Sequence, residues 1–203
     1  MKKKTVSFLA SGRGSNFRAV AERIQDGYIP ARLGILICDR GDAKAFDLAR
    51  GFGMDAFFVD PGRYPDRKAH EIEMARLLKK YGTDLIVAAG YMRLLSPYFV
   101  KTFRNMIINI HPALLPSFPG VHAQQQAFDH GVRITGCTTH FIDEGTDSGP
   151  IILQAAVPVN ADDTVETLSA RILREEHRIL PESVKLYCEG RLRVRGRRVL
   201  ISR

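Results

Sequence analysis

Cysteine is scarce in this chain, and the little there is does not cluster. Cys38, Cys137 and Cys188 are odd in number and far apart, which argues against a disulfide framework and against any paired metal knuckle. Each is expected to act as a small core hydrophobe. No two histidines stand at zinc-protease spacing, so no metal is expected. No apolar run approaches the roughly 18 residues that a membrane span needs. The start, Met1-Lys2-Lys3-Lys4-Thr5, leads straight into a strand-like run that is too short for a signal segment and has no cleavage site. A cytoplasmic protein without a membrane partner is therefore expected. Repeats, low-complexity tracts and linkers are also missing. A chain of 203 residues, 45% hydrophobic and 26% charged, is expected to form one ordinary globular domain.

The net charge of +8 is less telling than its location. Lys2, Lys3, Lys4 and the arginines at 191, 193, 195, 197, 198 and 203 account for nine positive charges, and setting them aside leaves 21 basic against 22 acidic residues. The body is close to neutral and shows no basic stripe with interleaved aromatics, so nucleic acid is not the expected partner.

Short apolar runs alternate with amphipathic stretches. Strands are expected at residues 6–10, 33–38, 56–59, 85–89 and 106–110, and helices at 16–26, 43–52, 67–81 and 97–103. Continuous apolar strands separated by helices predict a parallel sheet covered on both faces. The pattern then changes: 134–143 and 150–157 follow each other across the Gly-rich loop 144–149 and predict a strand pair without a crossing helix. A long helix over 164–188, capped by Asp162 or Asp163, and a hairpin turning at Arg195-Gly196-Arg197 complete the chain. The expected fold class is α/β: a single-domain, doubly wound, mostly parallel sheet with an antiparallel strand in the C-terminal half.

Chemistry concentrates in Asn109-Ile110-His111-Pro112. Side chains two apart on a strand share a side, so Asn109 and His111 project together, and Pro112 stops the strand behind them. An amide beside an imidazole can hold the charge that a carbonyl oxygen gains under attack. A strand end whose polar groups merely satisfy nearby backbone fits equally well. Asp147 can stabilise an imidazolium and raise its pKa, or it can simply shape a turn.

The first strand runs into Ser11-Gly12-Arg13-Gly14-Ser15-Asn16 and a helix, an arrangement suited to a phosphate, with Ser15 as a helix cap or phosphate ligand and Arg13 adding charge. A dinucleotide fold competes, since Asp39 follows the second strand. Phe17 stands where that fingerprint needs its third glycine, and there is no Walker lysine. Met92-Arg93-Leu94-Leu95, after Ala89-Gly90-Tyr91, offers an apolar wall for a flat heteroaromatic ligand. His140 within a strand, His122 at a helix start, and His70, His130 and His177 on helices read as structural or surface residues. Glu175, Glu176 and His177 read as a solvated helix face.

Together these motifs, with Ser96-Pro97, the continuation Ala113-Leu114-Leu115-Pro116-Ser117-Phe118-Pro119-Gly120 and the stretch 140–150, resemble the glycinamide ribonucleotide formyltransferases of de novo purine synthesis. The resemblance runs through nearly the whole chain, in order. It implies formyl transfer from 10-formyltetrahydrofolate to the amine of glycinamide ribonucleotide, with Asn109, His111 and Asp147 catalytic. It places the ribonucleotide on Gly12, Arg13, Gly14, Ser15, Asn16 and Glu176, with Gly14, Ser15 and Asn16 at the phosphate. The folate falls to Arg67, Met92, Arg93, Leu94, Leu95 and Asn109. On this reading residues 1–100 or so form a phosphate-binding half, about 101–190 a catalytic and folate-binding half, and 191–203 a basic hairpin. Ala113 departs from the more frequent serine. A homodimer is left open.

Other members of that superfamily compete. Methionyl-tRNA formyltransferases normally add a C-terminal nucleic-acid-binding domain and formyltetrahydrofolate deformylases an N-terminal regulatory one, and both lack a matching phosphate loop. A non-catalytic nucleotide- or polyanion-binding module and a Rossmann oxidoreductase, the latter opposed by Phe17, are the remaining alternatives.

Overall fold

The computed structural model describes residues 3–202. They form a mixed α/β fold with mostly parallel strands and antiparallel pairs in the C-terminal half. They divide into two compact units, up to Ile108 and from Asn109 onward.

The first unit contains β1 (Lys4–Ala10), α1 (Ser15–Gln25), β2 (Ala31–Cys38), α2 (Ala45–Gly51), β3 (Ala56–Phe58), α3 (Arg67–Lys80), β4 (Leu85–Ala88), α4 (Pro97–Thr102) and the start of β5 (Ile107–His111). β1 is buried from Thr5 to Ala10, as a central strand with both faces covered must be. It pairs in parallel with β2 on one side and β4 on the other, and the strands run β3-β2-β1-β4-β5. The order reverses between β1 and β4, so the loops leaving their carboxyl ends flank a switch point, where open α/β sheets bind ligands. Phe17 is fully buried on α1, its ring centroid 4.6 Å from that of Phe8 on β1. A large aromatic fills the space that the dinucleotide fingerprint keeps free.

The second unit contains the end of β5, then α5 (Ala123–His130), β6 (Ile134–Phe141), β7 (Ile151–Pro158), α6 (Val165–Cys188), β8 (Leu192–Arg195) and β9 (Arg198–Ile201). β6 and β7 are antiparallel, with a register shift between Thr139 and His140. Such irregularities re-aim side chains near functional sites. The terminal hairpin joins through a parallel contact of Ile151 with Arg198. α6 packs on β6 and β7 and carries a buried stripe at Leu168, Ile172, Glu176, Ile179, Leu180, Ser183 and Val184.

The predicted elements are present, with ends differing by a residue or two, and α5 adds a helix whose start the sequence marked only at His122. Both predicted caps need correction. Thr164, in an extended conformation, caps α6 through a reciprocal pair with Thr167, while Asp163 turns to Arg171 in a two-pronged ion pair at 2.7 Å. At α1 the cap position belongs to Gly14, with Ser15 already helical. All three cysteines are free and buried. Among the described residues, no helix is long and apolar enough to cross a membrane.

Candidate active site

In the first unit, the loop after β1 begins at buried Ser11 and rises through exposed Gly12 and Arg13. Gly14 has φ +74, and a Cβ there would lie 2.9 Å from the Cβ of Ala45, so both conformation and space demand glycine. No side chain caps α1, whose first-turn amides have no partner within the helix. Ser15 is half-buried and Asn16 is buried beside them. An uncapped helix start behind a glycine turn is a ready anion site.

After β4, Met92, Arg93 and Leu94 are exposed, at 71% for Met92 and 61% for Leu94, and Leu95 is half-buried. Arg67, at the start of α3, donates from Nη1 to the Leu94 carbonyl at 3.3 Å. Beneath the loop, buried Glu71 accepts from the Ser96 amide at 2.8 Å and from the Ser96 hydroxyl. Met92 and Leu94 present two neighbouring apolar side chains to solvent on a braced backbone, a surface that a flat apolar ring could cover. Burial raises the hydroxyl pKa of neighbouring Tyr91, keeping it neutral.

In the second unit, Asn109 and His111 leave β5 on the same side, as the two-residue period requires. His111 is 4% exposed. Its Nδ1 lies 3.2 Å from Oδ2 of Asp147, and its Nε2 is 2.8 Å from the Phe118 carbonyl oxygen. Asp147 has φ +49 and accepts from the Gly120 amide at 2.7 Å through Oδ2. Phe118, at φ +53, and Asp147 are both strained for residues with a Cβ, a cost of about 1–3 kcal/mol each that functional sites commonly carry. Asp143 shapes the loop by accepting from the Gly145 amide and the Ser148 hydroxyl. At its far end Arg197, in the terminal hairpin, donates to the Ser148 carbonyl at 3.2 Å.

Burial lowers the pKa of His111 below the ordinary histidine value, and the positive influence of nearby His140 adds to that. Asp147 and the Phe118 carbonyl pull the other way without prevailing. The expectation that Asp147 would raise His111 above its usual value is thus corrected: desolvation is the larger effect. Asp147 itself is lowered. Burial works to raise it, and His140, the Gly120 amide and His111 outweigh that.

His140 is the residue that the sequence undervalued. Its Nε2 is 3.1 Å from Asn109 Nδ2 and 3.6 Å from Asp147 Oδ1, and its Nδ1 is 3.0 Å from the Phe141 carbonyl oxygen. The Asn109 amide group and the His140 ring thus hold each other in place, which fixes how Asn109 points. Glu176 also departs from expectation. It is 6% exposed and lies in the core-facing stripe of α6, so it is no solvated residue. Burial and the Glu176 charge push the Cys137 thiol up to about 12. His70 is buried, its Nε2 2.9 Å from the Val59 carbonyl oxygen, a structural role.

The second unit thus holds a buried histidine–carboxylate pair beside a strand-mate amide, and the first unit an uncapped helix start behind a glycine turn. The formyl transferase family model matches residues 4–184. The chain belongs to the formyl transferase family. The phosphoribosylglycinamide formyltransferase of Bacillus subtilis (strain 168) is 41% identical over 182 residues, covering 90% of this chain and 93% of the relative. That of Escherichia coli (strain K12) is 35% identical over 186 residues, covering 92% and 88%. A crystal structure of glycinamide ribonucleotide transformylase 1 from Symbiobacterium toebii superposes with a TM-score of 0.97 at 50% identity, covering 99% of this chain and 95% of that one. As a formyl transferase, the chain is a one-carbon group transferase.

Proposed function

We propose that this formyl transferase moves the formyl group of 10-formyltetrahydrofolate to the amino group of glycinamide ribonucleotide, yielding formylglycinamide ribonucleotide and tetrahydrofolate in purine biosynthesis, in the cytoplasm. The observation that carries this reading is the pairing of His111 with Asp147 at 3.2 Å beside Asn109, in a chain whose relatives carry that enzyme's name.

Both substrates are recognised by this chain's own groups. Gly12, Arg13, Gly14, Ser15 and Asn16 take the phosphate of the ribonucleotide on backbone amides and one guanidinium. Glu176 serves the rest of that substrate. Met92, Leu94 and Leu95 cover the folate's flat ring, and Arg67 and Arg93 bring charge to its polar edges.

Attack of the amine makes a carbon–nitrogen bond and loads negative charge on the formyl oxygen. The Asn109 amide, aimed by His140, donates to that oxygen, and His111 stabilises it from the same side. Collapse breaks the bond to the folate nitrogen, which must gain the proton that the amine loses. Asp147 accepts the amine's proton through water, and His111 donates to the departing nitrogen. The lowered pKa of His111 makes its protonated form a stronger acid, suited to that donation. No group on the enzyme becomes covalently attached.

The test is an absorbance assay for tetrahydrofolate production from the formyl donor, with and without glycinamide ribonucleotide, on wild type and His111→Ala. Product that requires the ribonucleotide and is nearly lost in the variant is the expected result. Product formed without the ribonucleotide would mean a hydrolase, and no product from folded protein would remove the enzymatic reading.

A further inference from the structure

Beyond the ends of β1 and β4, main-chain pairing continues through two more bonds. The Ala89 amide donates to the Leu9 carbonyl at 2.9 Å, and the Ser11 amide to the Gly90 carbonyl at 3.1 Å. The next rung changes character. The Met92 amide donates at 2.9 Å to Oγ of Ser11, a side chain standing where a carbonyl would otherwise serve. Ser11 is only 6% exposed, so the acceptor end of this part-buried bond is sheltered. Gly90, at φ +77, lets the chain turn between the two contacts.

Ser11 therefore grips the segment 90–92 at both ends while leading directly into Gly12. Other ties run to α3 and have no part in the glycine loop: the Tyr91 hydroxyl donates to Met74 Sδ at 3.7 Å, and further along Arg67 holds Leu94 and Glu71 holds Ser96. The side chain that holds Met92 thus stands one residue before the glycine loop, on the backbone that leads into it.

We propose that Ser11 is a positioning residue that couples the two substrates, so that an anion on the glycine loop strengthens binding at residues 92–95, and the reverse. This rests on the assignment of those loops to ribonucleotide phosphate and folate under the proposed function. Ordering the glycine loop around a phosphate fixes the Ser11 hydroxyl, and the Met92 segment then has less freedom left to lose when its own ligand arrives. Linkage makes the effect equal in both directions, and a typical coupling is about five-fold or more.

Tetrahydrofolate and glycinamide ribonucleotide cannot react with each other, because neither carries a formyl group. Titration calorimetry of tetrahydrofolate, with and without saturating ribonucleotide, gives the coupling factor directly. Wild type is expected to show about five-fold tightening or more, and the same factor with the order of addition reversed. Ser11→Ala should bring the factor close to one while thermal melting stays cooperative. Ser11→Cys, which keeps the volume but offers a weak acceptor, should do likewise, and Ser11→Thr, which keeps the oxygen, should restore it. Undiminished coupling in both Ser11→Ala and Ser11→Cys would overturn the proposal, as would a wild type that binds both ligands independently. A wild type that binds neither ligand would overturn the functional reading beneath it.

Discussion

Oδ2 of Asp147 stands 3.2 Å from Nδ1 of His111 and takes the Gly120 amide at 2.7 Å, so one carboxylate oxygen ties a loop of positive φ to the strand-end imidazole. The negative charge partly offsets the burial that lowers His111. Asp147→Asn removes that offset. The His111 pKa should then fall further, and the limb of the kcat/KM profile that it governs should move to lower pH. The maximal rate should drop by about 10²–10⁴, the usual scale of a lost proton-transfer group. Steady-state kinetics across pH would check both.

Asn109 and His140 should behave as one unit. Asn109→Ala is expected to cost about 10²–10³ in kcat, as removal of an oxyanion donor does. His140→Ala should cost less, because it disorients the amide without deleting it. The double variant should be little worse than Asn109→Ala alone, a departure from additivity that marks residues in direct contact. Parallel measurements of kcat for the four proteins would show it.

Glu176→Gln should raise KM for glycinamide ribonucleotide, leaving KM for the folate and kcat little changed, if its role is uniform binding of that substrate. Initial-rate kinetics with each substrate varied in turn would separate these effects.

The Asp163–Arg171 pair makes stability depend on pH in a defined direction. Its hydrogen bonds with Arg171 hold the Asp163 carboxyl well below the usual carboxylate range, with Asn160 and Thr167 adding to this. A carboxyl lowered on folding contributes stability above its unfolded value of 3.8 and loses it as pH falls through the folded value. Asp163→Asn should therefore lower the melting temperature near neutral pH, and the gap from wild type should narrow steadily in acid. Melting curves from neutral pH down to about pH 2 would test the trend.

Much of this was readable from residue order, and what was not has definite physical causes. Asn109 and His111 share a side because the strand period is two, a local rule that needs no partner. Sequence alone points the cap of α6 to Asp162 or Asp163, since either aspartate suits a cap equally well, whereas the cap is Thr164. Arg171, eight residues beyond Asp163, decides the matter by claiming its carboxylate. Glu176 was read beside its neighbours Glu175 and His177, whereas the register 168, 172, 176, 180 already placed it on the buried stripe. His140 was hidden for a different reason. Its contacts with Asn109 and Asp147 depend on strand neighbours and on a register shift after Thr139, and neither leaves a local mark in the sequence. For His111 the sequence shows a charged partner but not the depth of burial, and burial is what lowers its pKa.

Arg197 lies beyond residue 184, where the family match stops, yet it bonds to the carbonyl of the residue next to Asp147. The terminal hairpin thus has a hold on the loop that carries Asp147. Loss of that bond is expected to loosen the seat of Asp147 from outside the substrate groups, an effect that turnover of Arg197→Ala beside wild type would register.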